Sequence, residues 1–156
     1  MTVPLSIIKA IFKVVTFKLR FPRHYCNKTI KMDDGSEFRI FRHMHLTAHD
    51  SDSTGSIFIV HFKFKRFSHK TNVRLSRIPI LMIAGFPGFR DKLWMIDHDT
   101  DYWQGIYQFA SGEAIDGYRQ SFVLHIMNKR AQSDSITYQI IRNQEIDNYL
   151  EARFVT

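Results

Sequence analysis

Aromatic rings in the second half of the chain are the residues whose types and spacing could do chemistry. Side chains two apart on a β-strand point to the same face. Two predicted neighbouring strands therefore carry one ring-rich face, formed by Trp94, Trp103, Gly105, Tyr107 and Phe109. Tyr118 would reach the same place from a following helix, and Gly105 would leave room for a ligand or for a packed helix. The pattern predicts a pocket for a small aromatic ligand, although plain core packing, with Gly105 admitting a neighbouring ring, explains it as well.

Two histidines are the candidate acid/base residues of this pocket. His125 falls on the predicted inner stripe of the helix that carries Tyr118, and His61 lies on an earlier strand. An imidazole changes its charge near neutral pH, so either ring could move a proton, and a buried histidine could also bind haem iron. A hydrogen-bonded histidine of the core is the alternative for His125.

Other reactive side chains indicate no metal site. His43, His45 and His49 alternate as ligands might, but the spacing supplies no further ligand, so solvated histidines near a sheet edge are expected. Asp97, Asp99 and Asp101 have neither the glycine nor the distal glutamate of a calcium loop and suit a solvated hairpin. The lone Cys26 has no reactive partner, and no Gly-x-Ser-x-Gly motif is present. A disulfide framework and a serine hydrolase are therefore excluded.

The positive charge of the chain is concentrated at its start. The formal net charge is +7 over 156 residues, and residues 1–32 contain seven basic and no acidic residues, which accounts for all of it. The remainder is neutral, so the composition offers no basic face for nucleic acid. No nucleic-acid partner is expected.

The segment 5–21 has an amphipathic pattern. Ser6, Lys9, Lys13, Thr16 and Arg20 share one helical stripe, and the rest of the surface is apolar. Such a helix could lie on an anionic membrane surface, although it is too short and too charged to span a bilayer. Packing on its own domain or on a partner copy, a cleaved targeting segment, and a strand over part of the segment remain open.

The elements that must position these side chains follow in a definite order. A strand over 37–46, expected at a sheet edge, precedes the loop 49–55. From Ser56 the periodicity predicts a strand over 57–67, a helix over 68–77 continued as an apolar segment over 80–84, strands over 92–97 and 102–109, a helix over 112–129, a strand over 135–142 and a terminal helix over 144–153.

This order is β-α-β-β-α-β, the split unit of ferredoxin-like α+β folds, in which two helices back an antiparallel sheet. We therefore expect a basic amphipathic segment over 1–26, an extra strand and loop over 27–55, and a ferredoxin-like domain over 56–156. The sheet face opposite the helices would expose apolar residues unless a partner covered it. A homodimer joined through its sheets is therefore expected.

Several residues of this region resemble the YdhR-type monooxygenase family, within the dimeric α+β barrel superfamily. The resemblance covers roughly residues 56–142 and is carried, in order, by Pro87-Gly88-Phe89, Lys92, Trp94, Gly105-Ile106-Tyr107, Phe109, Ala114 and Tyr118. It implies a ferredoxin-like dimer. It also implies, by analogy, an oxidoreductase that uses no metal or flavin of its own, while haem-degrading relatives in the superfamily make haem a further possibility.

Two functions of different class follow from these observations. The first is a cofactor-independent monooxygenase acting on a small aromatic or quinol-like ligand, with His125 and His61 as acid/base residues. The second is a non-catalytic module that binds a ligand or haem, held at a membrane surface through residues 5–21. A buried polar group in the pocket would distinguish them, because an enzyme needs one and a packed core avoids it. A cytoplasmic location, with peripheral membrane contact as an option, is expected.

Overall fold

A computed structural model of the chain describes residues 18–47 and 53–156. Most of the predicted N-terminal helix, and His49, lie outside these residues. The end of that helix prediction is wrong, because Leu19–Arg20 is a short strand that pairs with His45 and Leu46. None of the described helices is long and apolar enough to cross a lipid bilayer.

Seven strands and five helices make up the described fold. The strands are β1 (Leu19–Arg20), β2 (Thr29–Lys31), β3 (Glu37–Leu46), β4 (Ser56–Phe62), β5 (Phe89–Ile96), β6 (Trp103–Phe109) and β7 (Thr137–Ile141). The helices are α1 (His69–Leu75), α2 (Ile80–Ala84), α3 (Gly112–Arg119), α4 (Phe122–Lys129) and α5 (Ile146–Glu151). A single 3-10 turn, Ser133–Ser135, precedes β7.

The strands form one antiparallel sheet in the order β1-β3-β5-β6-β4-β7. Four of them, in the order β5-β6-β4-β7, have the arrangement of the β-α-β-β-α-β unit, which confirms the predicted ferredoxin-like α+β fold. The turn that feeds β5 needs Gly88, whose φ is +80° and whose Cβ, if it had one, would lie 2.8 Å from the Cβ of Ala114. A side chain at this position would strain the backbone and push α3 off the sheet.

The sequence predicted that the extra strand β3 lies at a free edge of the sheet, and this prediction is wrong. The strand pairs with β5 on one side, and its other side is partly covered by β1 and by β2. The predicted solvation of its histidines is also wrong for His43, which is 3% exposed. The strand is internal because the chain preceding it folds back along it.

The helix predicted over 112–129 is two helices. Gln120 ends α3, and Ser121 begins α4 by accepting a hydrogen bond from the backbone N–H of Leu124 at 3.3 Å. A serine that caps a new helix interrupts the helical phase. The stripe that continues from Tyr118 is therefore broken, and Leu124 is buried while Phe122 is 71% exposed.

Apolar cores lie on both faces of the sheet. The helices α2 to α4 cover one core, which contains Phe58, Trp94, Tyr107, Phe109 and Tyr118. The opposite core contains Ile57, Leu93 and Ile106 and is covered by Ile146, Tyr149 and Leu150 of α5 together with Tyr25 and Ile30. The face that was expected to need a partner is thus covered by the chain itself. The homodimer remains a prediction, but an uncovered apolar sheet face no longer supports it.

Candidate active site

A buried lysine is the chemical centre of the helix-covered face. Lys92 lies in the middle of β5 and is 1% exposed. Its Nζ donates a hydrogen bond of 2.6 Å to the hydroxyl of Tyr107 and lies 4.3 Å from the ring centroids of both Trp94 and Tyr107. No carboxylate pairs with it in the part of the chain that the structure describes. A buried charge is normally paired, so this amine has an unusual environment.

The environment of Lys92 favours the uncharged amine. Burial lowers its pKa well below the ordinary value, and the positive charge of Arg42 lowers it further. The Arg42 guanidinium lies 5.2 Å from the Trp94 ring centroid, while Ser76 and the backbone carbonyl of Val73 accept its hydrogen bonds. Burial also lowers the pKa of Arg42, to about 10, so Arg42 stays charged at neutral pH.

Two tyrosines extend the polar centre away from Lys92. The hydroxyl of Tyr118, on α3, donates to the hydroxyl of Tyr107 at 3.2 Å. Burial raises the pKa of Tyr107 well above its usual value and also raises that of Tyr118. Both phenols therefore remain protonated. Because Tyr107 accepts hydrogen bonds from Lys92 and Tyr118, its own proton remains for a ligand.

Gly105 makes the room in which Lys92 and Tyr107 meet. It pairs with Trp94 on β5 and with Val60 on β4, in the centre of the sheet. A Cβ at position 105 would lie 3.0 Å from Cε2 of Tyr107 and 3.6 Å from Cε of Lys92. The sequence predicted that Gly105 would admit a neighbouring ring, and the ring that lies there is that of Tyr107.

A small, mostly apolar cavity opens onto the Lys92 amine. Its wall includes Trp94, Trp103 and Tyr107 from the sheet, and Leu124 and Met127 from α4. The cavity volume is about 40 Å³, room for three or four water molecules at about 10–15 Å³ each. The cavity is therefore small, and Lys92 supplies its one amine.

The indole of Trp103 connects this wall to the surface. Its Nε1 donates to Nδ1 of His69 at 2.8 Å, so Nε2 of His69 carries the proton and donates to the Asp101 carboxylate at 2.8 Å. These bonds fix the orientation of the indole. Asp101 lies in the β5–β6 hairpin with 73% of its side chain exposed, as predicted. The predicted solvation is wrong for Asp97, which is 7% exposed and accepts hydrogen bonds from the backbone N–H groups of Asp99 and Thr100.

The structure brings together three of the five predicted ligand-binding residues. Trp94, Trp103 and Tyr107 line the cavity. Tyr118 reaches it through its hydrogen bond to Tyr107, and Phe109 lies behind Tyr107 with ring centroids 6.1 Å apart. Strand parity placed these rings correctly, and their role as ligand contacts stays a prediction.

The two predicted acid/base histidines lie elsewhere. His125 is exposed on α4, because the break at Ser121 rotates it off the inner stripe. His61 alternates with the cavity residues Val60 and Phe62 on β4 and so lies on the opposite face, with its ring 4.3 Å from that of Tyr102. Their predicted placement at the pocket is therefore wrong.

The histidines of β3 form a separate cluster around Asp91. Nε2 of His43 and Nδ1 of His45 each lie 2.8 Å from one carboxylate oxygen of Asp91. Burial acts to raise the pKa of Asp91, but the bonds from the two histidines outweigh it and lower the pKa. Among the described residues, no group of three or more His, Cys, Asp or Glu side chains is placed to hold a metal ion.

The cavity does not fit haem. A space of about 40 Å³ cannot hold the macrocycle, and no histidine of the described chain lines it. Sequence reasoning missed Lys92 as the central group, although the residue shares a strand face with Trp94. The available signal was a lysine directed inward on a strand whose neighbours are apolar, since lysines are almost never fully buried.

Comparison with known proteins adds the family. The profile of the family described as "Putative mono-oxygenase ydhR" matches residues 57–147, more than half of the chain. This protein is a member of the ydhR family. The match contains every residue of the Lys92, Tyr107 and Tyr118 centre and confirms the resemblance seen in the sequence. No characterised protein in the curated comparison matches the chain.

Solved structures share the fold of this ydhR family member at low identity. A monooxygenase-like protein of Listeria innocua, Lin2316, has a TM-score of 0.54 and 9% identity, over 94% of this chain and 92% of its own. A ferredoxin-fold protein of Listeria monocytogenes related to antibiotic biosynthesis monooxygenases has a TM-score of 0.52 and 14% identity, over 72% and 67%. The haem-degrading enzyme LmHde of Listeria monocytogenes has a TM-score of 0.53 and 12% identity, over 81% and 97%. Identities this low show a common fold alone.

Proposed function

We propose that this protein is a monooxygenase of small, electron-rich aromatic compounds such as phenols and quinols, with the cavity at Lys92 as its active site. Membership of the ydhR family supports the class of reaction. The observation that carries the proposal is the Lys92 amine, which is buried at the cavity wall against Tyr107 and has no carboxylate partner among the described residues. It is the buried polar group that an enzyme needs and a packed core avoids.

The proposed role of Lys92 is that of a general base. A phenol or quinol gives electrons to dioxygen far more readily after it loses its proton. An uncharged amine in an apolar cavity can take this proton, and the ammonium and phenolate that result attract each other strongly where water is excluded. One oxygen atom of dioxygen then enters the ligand and the other leaves as water, with the ligand itself as the source of both electrons.

The proposed roles of the neighbouring side chains follow from their positions. Trp94 and Trp103 offer flat apolar surfaces for the ligand ring, and the bonds through His69 hold the indole of Trp103 in place. Tyr107 accepts the hydrogen bonds of Lys92 and Tyr118, so it can donate its own hydroxyl proton to an oxygen of the ligand. A single aromatic ring needs more space than the cavity has, so Leu124 and Met127 of α4 must move aside, which the flexible methionine allows.

Oxygen uptake tests the proposal. The full chain is supplied with phenol, catechol and hydroquinone in turn, and dioxygen consumption is followed beside a calorimetric measurement of ligand binding. We expect Lys92→Met to lower kcat/KM by at least about 100-fold, the usual scale of a lost general base. Lys70→Met, at an exposed position on α1, is the matched control and should leave the rate unchanged.

Each other outcome has a defined meaning. Binding without oxygen uptake would identify the protein as a non-catalytic binding module and overturn the proposal. Turnover that survives Lys92→Met would place the chemistry elsewhere in the chain.

A further inference from the structure

The Lys92 amine also has the surroundings of a nucleophile. Lysines that attack carbonyl groups are uncharged at neutral pH, enclosed in apolar walls and close to a proton donor. The surroundings of Lys92 are of this kind, since burial lowers its pKa, Nζ lies between the rings of Trp94 and Tyr107, and its one hydrogen-bond partner among the described residues is the Tyr107 hydroxyl. The cavity in front of it is lined mainly by apolar side chains.

We infer that Lys92 binds small apolar aldehydes covalently, as an imine formed on its Nζ. This activity uses the same cavity as the proposed function but needs no dioxygen and no oxidation of the ligand. An aldehyde is the carbonyl class that suits this site, because the single hydrogen on its carbonyl carbon leaves the approach to Nζ open. An aromatic aldehyde enters, like the phenols and quinols, when Leu124 and Met127 of α4 move aside.

The step is redox-neutral and needs no further reactant. The lone pair of Nζ attacks the carbonyl carbon, and one amine proton passes to the oxygen to give a carbinolamine. The C–O bond then breaks, and the hydroxyl leaves as water with the proton of Tyr107. The tyrosinate takes the remaining N–H proton of the iminium, which restores Tyr107 and leaves a neutral imine. The carbon–nitrogen double bond replaces the carbonyl bond, and one water is released.

Tyr118 leaves the Tyr107 proton available in this sequence. It donates its own 3.2 Å hydrogen bond to the Tyr107 oxygen, so the Tyr107 proton is free to reach the carbinolamine oxygen. The other face of the sheet offers no equivalent, because the half-buried Lys63 contacts the ring of Tyr102 at 4.8 Å and retains access to water. Lys92 should therefore react in preference to the exposed lysines of the chain.

Reductive trapping with benzaldehyde tests the inference. The full-length protein is incubated with benzaldehyde and sodium cyanoborohydride at neutral pH, and the benzylated residue is located by peptide mass mapping. We expect the initial rate of labelling at Lys92 to exceed that at the exposed Lys70 by at least about tenfold, because an ordinary lysine is almost wholly protonated at this pH. Labelling of Lys92 no faster than of Lys70 overturns the inference.

Two variants separate nucleophilic chemistry from simple burial. Tyr107→Phe keeps the amine and the ring but removes the proton donor, and it should slow labelling of Lys92 by at least about tenfold. Tyr102→Phe is the control on the other face and should change nothing. If Tyr107→Phe labels Lys92 as fast as the original protein does, Tyr107 has no part in the reaction and the proposed sequence is wrong.

Benzyl alcohol distinguishes failure of this inference from failure of the proposed function. It has the ring and size of benzaldehyde but cannot form an imine. If benzyl alcohol binds and benzaldehyde is not trapped, the cavity binds aromatic ligands while imine formation is excluded. If benzaldehyde is trapped and no phenol or quinol promotes oxygen uptake, the imine chemistry stands and the oxygenase proposal fails.

Discussion

Asp91 and Lys92 are neighbours in β5, yet the two faces of the sheet treat their buried charges in opposite ways. Asp91 is 7% exposed and bonds to two histidines at 2.8 Å each. Lys92 is 1% exposed and bonds to a single phenol. The carboxylate is stabilised in its charged form by its partners, whereas the amine is destabilised in its charged form by its surroundings.

The difference between Asp91 and Lys92 indicates which of the two buried side chains is available for function. A buried charge with full partners contributes to stability and has little capacity left for a ligand. A buried amine with an apolar cavity in front of it has its reactivity intact, at some cost in folding free energy.

Replacement of Asp91, the buried carboxylate with two histidine partners, should have the largest effect on stability. Asp91→Ala leaves the buried ring of His43 and the half-buried ring of His45 without their acceptor. We expect the free energy of unfolding to fall by about 3 kcal/mol, near the lower end of the cost of breaking a buried pair. Denaturant titration measures the loss, and Asp99→Ala in the exposed hairpin should cost less than about 0.5 kcal/mol. Equal losses in both variants would contradict a structural role for Asp91.

A larger side chain at position 105, beside Lys92 and Tyr107, should have the next largest effect on stability. Gly105→Ala places a methyl group 3.0 Å from the Tyr107 ring in the middle of the sheet and should destabilise the protein by about 2 kcal/mol. Gly117 is the matched control, because no atom lies within 4 Å of a Cβ built there. Gly117→Ala in α3 should stabilise the protein by about 0.5–1 kcal/mol through helix propensity. Thermal melts of the two variants should therefore shift in opposite directions.

Replacement of Lys92 should change the free energy of unfolding in the opposite direction to replacement of Asp91. Lys92→Met exchanges a buried amine for an apolar side chain of similar length, and Tyr107 keeps its bond to Tyr118. We expect stability to rise by about 1 kcal/mol while activity is lost. Chemical denaturation of this variant beside Lys70→Met gives the measurement. A marked loss of stability would show that Lys92 is a structural residue.

The smallest effect should appear in the pH dependence of the Asp91 cluster. The hydrogen bond to Asp91 raises the pKa of His45 above its ordinary value of 6.5. The stabilisation is therefore complete below that value and is lost as pH rises through the higher pKa of the folded protein. His45→Gln should flatten the decline in unfolding free energy above about pH 6.5. His125→Gln, at an exposed position on α4, should leave the decline unchanged.

Local periodicity and turn chemistry predicted much of this structure. The alternation in β5 and β6 fixed which side of the sheet carries Trp94, Trp103 and Tyr107, because the side-chain period of a strand is two. The helices predicted from 68 and from 112 begin where the side chains of Ser68 and Ser111 accept hydrogen bonds from backbone N–H groups of the first turn. These features depend only on neighbouring residues, so one sequence is enough to show them.

What the sequence did not show depends on contacts distant along the chain. The burial of His43 requires Asp91, 48 residues later, and the closed second face requires α5 at the end of the chain. The shift of His125 to the surface follows from the cap at Ser121, where an apparently continuous stripe hides a new helix start. Lys92 shares a strand face with Trp94, but its lack of a carboxylate partner is a property of the folded surroundings alone.

The placement of both tryptophans in the cavity wall gives this protein an optical reporter of its own. The chain has two tryptophans, Trp94 and Trp103, and both border the space in front of Lys92. A charged amine 4.3 Å from the Trp94 ring shifts indole emission, and a neutral amine does so much less. The intrinsic fluorescence of the unlabelled protein therefore reports the protonation of Lys92 and the arrival of a ligand in one recording.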